Sequence, residues 1–246
     1  MKRLIVPPLL FGLAFVVLLN AELLEPLLRT LFPNVREILY ARIPLIDLFR
    51  EHVMLVLVSS VTATVTGVSL GVIVTRPPGR DFLTVVQGLS SFAQTFPPVA
   101  VLALAVPAVG FGFRPTIIAL VAYSVLPILN NTIAGMEAIP RELTEASRGI
   151  GMTPLQVLLL SELPLSARVI AAGIRTSVII NVGTATIGAV VGAGGLGVVI
   201  VAGLVRDNIA FVFSGAAAAA VLALAFDWLF GRLETLFFAP RARFSR

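Results

Sequence analysis

Cysteine is absent from this chain, and lysine and histidine occur once each, as Lys2 and His52. Without a thiol there is no disulfide, no thiolate metal site and no cysteine nucleophile. A lone histidine builds neither a histidine-based triad nor a multi-histidine metal site within one chain. Charge is scarce as well: 13% of the 246 residues are Asp, Glu, Lys or Arg, against roughly 25% in soluble domains. No acid/base pair or nucleophile constellation survives that composition, so the residues do not describe an enzyme.

What fills the chain instead is apolar, at 58% hydrophobic residues and a mean hydropathy of +1.02. Runs near or above the roughly 18-residue spanning threshold recur, separated by short charged segments. This is the pattern of an all-α integral membrane protein with one polytopic domain over 1–246. The formal charge of +5 is dispersed between the apolar runs and not gathered on one face, which excludes nucleic acid as a partner and leaves the lipid membrane.

Six spans are expected, at about 4–24, 50–75, 83–109, 115–136, 169–191 and 209–231. After Met1-Lys2-Arg3 the run to Leu19 has the outline of a secretory signal, but "LLNAE" is a poor cleavage site, so a retained first helix is expected. An even number of spans puts both termini on one side. If that side is the cytoplasm, Arg29, Arg36, Arg42, Arg50, Arg114 and Arg206 lie outside and the other cations of the 18 lie inside, as the positive-inside rule prefers.

Within the spans, Ser60, Ala63, Gly67 and Gly71 recur at helical spacing, and Gly67 with Gly71 forms a GxxxG pair suited to close helix packing. Beside them run the hydroxyls of Ser59, Thr62, Thr66 and Ser69. Gln87, Ser91 and Gln94 form a second polar row, ended by the helix-interrupting Pro97-Pro98. Gln94, Asn130, Asn131, Asn181 and Thr184 are candidates to line a substrate pathway, and each serves equally well as hydrogen-bond glue between helices. From Ala172 to Gly203 the only charge is Arg175, expected to snorkel to the cytoplasmic interface. That stretch is too long for one upright span, so a break is expected at Gly192-Ala193-Gly194-Gly195-Leu196-Gly197, lying against the bundle or lining a cavity. A phosphate-binding loop is excluded there, because such a loop needs a lysine after its last glycine and the sole lysine is Lys2.

The most informative polar stretch is residues 140–164. Pro140 suits a first helical position, Glu142 and Glu145 favour the positive end of a helix, and Gly149 and Gly151 stop it. Thr153 then caps a second helix, with Pro154 at its first position and Gln156 completing a capping box, and Pro164 is expected to end it. A double-capped pair of helices presents a firm surface to a partner groove, with Leu143 and Ala146 as apolar anchors.

This stretch resembles the EAA loop of ABC importer permeases: Glu-Ala-Ala, three residues, Gly, nine residues, Ile, one residue, Leu-Pro. Glu145, Ala146, Gly151, Leu163 and Pro164 match at that spacing, while Ser147 replaces the second alanine and Ser161 the isoleucine. "GIRTSVIINVGTATIGAVVGAGGLG" (173–197) and "ALVAYSVLPILNNT" (119–132) are similar to the branch that imports glycine betaine, choline and related osmoprotectants. The resemblance implies a type I importer permease with six transmembrane helices and a short cytoplasmic coupling helix pair. Its core would be 50–235 with a coupling loop at 137–168, and 1–49 an extra first helix and outside segment.

It also implies a bacterial or archaeal plasma membrane location with both termini cytoplasmic. The implied partners are two cytoplasmic ATP-binding subunits, a second permease copy or paralogue, and an extracytoplasmic substrate-binding protein. No cofactor is expected in this chain, since ATP and Mg would be bound by the partner ATPase. Glu145, Ala146, Ser147, Gly149, Gly151, Leu163 and Pro164 are the coupling residues it implies. Two rivals stand beside it: a permease for another solute, such as methionine or a sulfonate, and an ion-coupled secondary transporter or channel, for which Asp227 is the main intramembrane acid. The aromatics Trp228, Tyr123, Phe92, Phe96 and Phe111 are scattered and form no evident cation cage.

Overall fold

The computed structural model describes residues 12–18 and 20–238. After a helical stretch at 12–18, ten α-helices follow among the described residues: α1 (Ala21–Leu31), α2 (Leu45–Val74), α3 (Leu83–Ala93), α4 (Pro98–Val109), α5 (Phe113–Glu137), α6 (Arg141–Gly149), α7 (Pro154–Val157), α8 (Leu163–Ala185), α9 (Gly197–Val205) and α10 (Ile209–Phe238). A π-helical turn, Leu158–Glu162, joins α7 to α8, and a 3-10 turn, Thr186–Val191, follows α8. Four segments are long and apolar enough to cross a membrane: α2, α5, the continuous run Pro154–Val191, and α10.

The expected single span at 83–109 is corrected. It is two helices, Arg80–Ala93 with its leading 3-10 turn and Pro98–Val109, bent by 98°. The cause is Pro97-Pro98. Pro97 is extended (φ −66°, ψ 139°) and Pro98 starts α4, where its missing N–H costs nothing. Counted as one bent span, the pair brings the crossings to five. Of the sixth, at 4–24, residues 4–11 and 19 lie outside the described residues, and the rest is divided between the helical stretch at 12–18 and the start of α1.

The core is the mutual packing of α2, α5 and α8. Leu55, Val56, Leu120, Val178, Val182 and Ala185 are buried together, with Leu222 of α10 closing the cluster. The GxxxG pair does what its spacing predicts: a Cβ on Gly67 would sit 3.0 Å from the Ile128 side chain, and one on Gly71 would sit 2.7 Å from that of Thr132. Gly135 meets Ser166, and Gly173 meets Asn131, in the same way across α5 and α8. Small residues on facing helices bring backbones close enough for dispersion to hold them where lipid supplies no hydrophobic drive.

The expected break at Gly192–Gly197 is present. Gly192, Gly194 and Gly195 all have positive φ, and α9 restarts at Gly197. The break is seated on the bundle. Gly195 N–H donates to the Glu51 carboxylate at 2.9 Å, and Gly112 N–H donates to the Val191 carbonyl at 2.7 Å.

Candidate coupling loop and polar seam

α6 begins after Pro140, whose extended backbone (φ −58°, ψ 135°) makes it the cap and leaves Arg141 as the first helical residue, one later than expected. None of its residues is buried. Glu145 and Ala146 are exposed, and so is the apolar side chain of Leu143. The helix ends at Gly149, and Gly151, at φ +89°, turns the chain in the left-handed region that favours glycine. Its N–H donates to the Arg148 carbonyl at 2.9 Å, and Met152 N–H to that of Ser147 at 3.2 Å, so the last carbonyls of α6 are satisfied.

The second start is a complete capping box. Gln156 N–H donates to Thr153 Oγ1 at 3.3 Å, and Thr153 N–H donates to Gln156 Oε1 at 2.8 Å. Pro164, expected to stop this helix, does not. The chain runs on through the π turn into α8, and Pro164 occupies its first turn. A π turn shifts the hydrogen-bond register by one residue, so the proline's missing N–H falls where the pattern is already interrupted. The coupling loop is therefore continuous with the span it leads into.

The two departures from the family pattern meet each other. Ser147 Oγ lies 3.4 Å from Ser161 Oγ, and Ser147 also donates to the Leu143 carbonyl at 2.9 Å. This hydroxyl pair links the two arms of the loop. Leu163 is half-buried and Pro164 exposed. At the base of the loop the buried Glu162 carboxylate accepts from the guanidinium of Arg76, just beyond the end of α2.

The five pathway candidates do not share one place. Asn181 is buried between α2 and α8, where its amide donates to Ser59 Oγ at 2.6 Å and Ser60 Oγ at 3.1 Å. Asn131 spends its amide on the Pro127 carbonyl of its own helix at 2.8 Å. Thr184 does the same with Ile180 at 3.0 Å. Asn130 accepts from Ser90 of α3 at 3.3 Å, and Gln94 is exposed at the end of α3. Near it Phe92 and Phe96 pack edge to face at 5.2 Å, and the Tyr123 hydroxyl donates to the Phe96 carbonyl. Replacing Asn181 with alanine is expected to destabilise the bundle by about 1 kcal/mol, the scale of interhelical hydrogen bonds in membranes. Thermal unfolding of the detergent-solubilised protein checks this.

Two polar features, Glu51 and His52, lie outside the sequence-derived candidates. His52 is fully buried, its Nε2 donating to the Val182 carbonyl at 3.0 Å, and Glu51 beside it holds the glycine break. Arg50, Glu51 and His52 stand as three consecutive polar residues at the start of the expected span, which is the signal that marks them. Arg175 does not reach out alone: Asp227 of α10 pairs with it at 2.6 Å and Glu234 approaches to 3.8 Å. That pairing engages the acid on which an ion-coupled mechanism would have depended.

The model of the family described as "Binding-protein-dependent transport system inner membrane component" matches residues 67–238. The chain is 40% identical over 184 residues to a choline transport system permease protein, OpuBB, of Bacillus subtilis, covering 75% of this chain and 84% of that one. It is also 40% identical over 200 residues to an osmoprotectant import permease protein, OsmY, of Salmonella typhimurium, covering 80% and 85%. Among solved structures, an inward-facing MetNI methionine ABC transporter superposes with a TM-score of 0.69 at 23% identity, over 78% of this chain and 95% of the other. A likeness at that identity bears on the fold alone.

Proposed function

This chain belongs to the binding-protein-dependent transport system inner membrane components, and from that membership we propose that it is the permease subunit of an ATP-driven importer for glycine betaine, choline or related quaternary amines. The observation that carries the solute class is the 40% identity to permeases whose names specify choline and osmoprotectants. The observation that supports the drive is α6, which buries none of its residues and is followed directly by the capping box that starts α7.

In this reading α6 seats in a groove of a cytoplasmic ATP-binding subunit, with Glu145 making a charged contact, Ala146 allowing close approach, and the bend from Gly149 to Gly151 fixing its angle. ATP and Mg belong to that subunit. Two such subunits, a second permease copy or paralogue, and an outside binding protein complete the importer, and both termini face the cytoplasm. The binding protein selects the solute, and the permease alternates access.

Reconstitution with the cognate ATPase and binding protein tests this by comparing ATP-dependent uptake of glycine betaine, choline and methionine. Uptake of betaine or choline is expected. Methionine uptake without either would refute the solute class.

A further inference from the structure

We propose that Arg76 and Glu162 are positioning residues for coupling, their ion pair being the joint through which displacement of α6 reaches α2. The proposal rests on the permease reading above.

α6 buries no residue of its own, and its polar tie to the rest of the protein is the Ser147–Ser161 pair on the π turn. That turn, Leu158–Glu162, buries a single side chain, Glu162. The Glu162 side chain is 8% exposed and Arg76 28%, and they come from elements 86 positions apart. The Arg76 Nε atom is buried with no acceptor, so the guanidinium is held by its bond to Glu162. Arg76 in turn follows the end of α2 closely, its N–H bonded to the Ile73 carbonyl at 3.1 Å.

A solvated ion pair slips when its partners move, because water takes over each charge. Glu162 is buried, so it cannot part from the half-buried Arg76 without its charge being stranded away from water, and the two elements move together. α2 is fastened to α8 again halfway along, by Asn181 on Ser59 and Ser60, and at its far end by His52 on Val182. There Glu51 holds the glycine break through Gly195. A push on α6 thus has a polar route along α2 to the opposite end of the bundle.

The test uses the full complex in proteoliposomes, with the partner ATPase and binding protein. Because the chain lacks cysteine, Phe111→Cys supplies one label site per copy of this chain, with the partner subunits used in cysteine-free form. Phe111 is 77% exposed, next to Gly112, which bonds Val191 at the edge of the break. The readouts are the ATP-dependent change in labelling rate by a membrane-impermeant maleimide, and solute uptake per ATP hydrolysed. Glu162→Gln and Arg76→Gln are each expected to remove the labelling change and cut uptake per ATP about tenfold or more, the scale of breaking a buried pair. The ATPase should still co-purify. The exchanged pair, Arg76→Glu with Glu162→Arg, is expected to restore both readouts.

Single variants that keep the labelling change and normal uptake per ATP overturn the proposal. So does an exchanged pair that fails to restore the response, whether or not it restores the yield of complex, since the contact is then a folding contact only. An unaltered complex that shows the labelling change yet imports neither betaine nor choline refutes the solute class and leaves the joint standing.

Discussion

Glu145→Ala is expected to leave membrane insertion and yield unchanged while weakening the grip of the ATPase about 10- to 100-fold, the usual worth of a hydrogen bond to a charged group. Glu145 is exposed on a helix that buries nothing, so the folded chain loses no packing with its carboxylate and at most a few tenths of a kcal/mol, ~0.3, from the helix dipole. Transport-coupled ATP hydrolysis in proteoliposomes should fall to near the uncoupled rate. Normal uptake in this variant would remove Glu145 from the coupling role. Because an exposed pair weakens with salt while a docked one is sheltered, the comparison is best made at physiological ionic strength.

Gly197→Ala is expected to have the largest effect on the fold itself. A Cβ there would lie 1.9 Å from the Thr186 carbonyl oxygen and 2.7 Å from its carbon, both backbone atoms that no rotamer change can move. Overpacking ordinarily costs 1–3 kcal/mol, and a clash with backbone at the start of α9 belongs at or above the top of that range, about 3 kcal/mol. The monodisperse fraction on size-exclusion chromatography of the solubilised protein should collapse. Gly192→Ala is the control. Its φ of +80° imposes roughly 1–2 kcal/mol on an L-residue, but nothing lies within 4 Å of the added methyl. A Gly192 variant as damaged as the Gly197 one would mean that backbone conformation, and not the crossing of chains, governs the break.

The two helix starts of the loop at 140–164 are legible in the sequence to within a residue or two, because their signals are local. Thr153 and Gln156 lie three residues apart, and Gly151 needs only its own φ to announce a turn. Pro164 misled for the same reason. A proline read alone signals a stop, yet in the first turn of a helix it costs nothing, and only the preceding π turn reveals which role it has. Pro97-Pro98 announces the interruption, and the extended backbone at Pro97 turns it into a 98° bend, a magnitude that residue type alone does not state.

Of the polar fastenings of α2, Asn181 is legible as interhelical hydrogen-bond glue, while those of Glu51 and His52 are not. Glu51 meets Gly195 across 144 positions, and His52 meets Val182 across 130. No periodicity encodes a partner at that separation. Asn181 was flagged by its polarity, and the structure assigns it two hydroxyl partners on α2.

The capping box at Thr153 and Gln156 also bears on how the complex forms. A segment that folds only on its partner gives up about 2–5 kcal/mol of its interaction energy to ordering and shows a large heat-capacity change on binding. Here the turn at Gly151 and the box at Thr153 and Gln156 are already closed by their own hydrogen bonds, so the proposed docking on the ATPase is expected to be a rigid-body encounter. Calorimetry of that association should register the heat capacity of the buried contact patch alone, and the handle would be ready for its partner from the moment the chain is folded in the membrane.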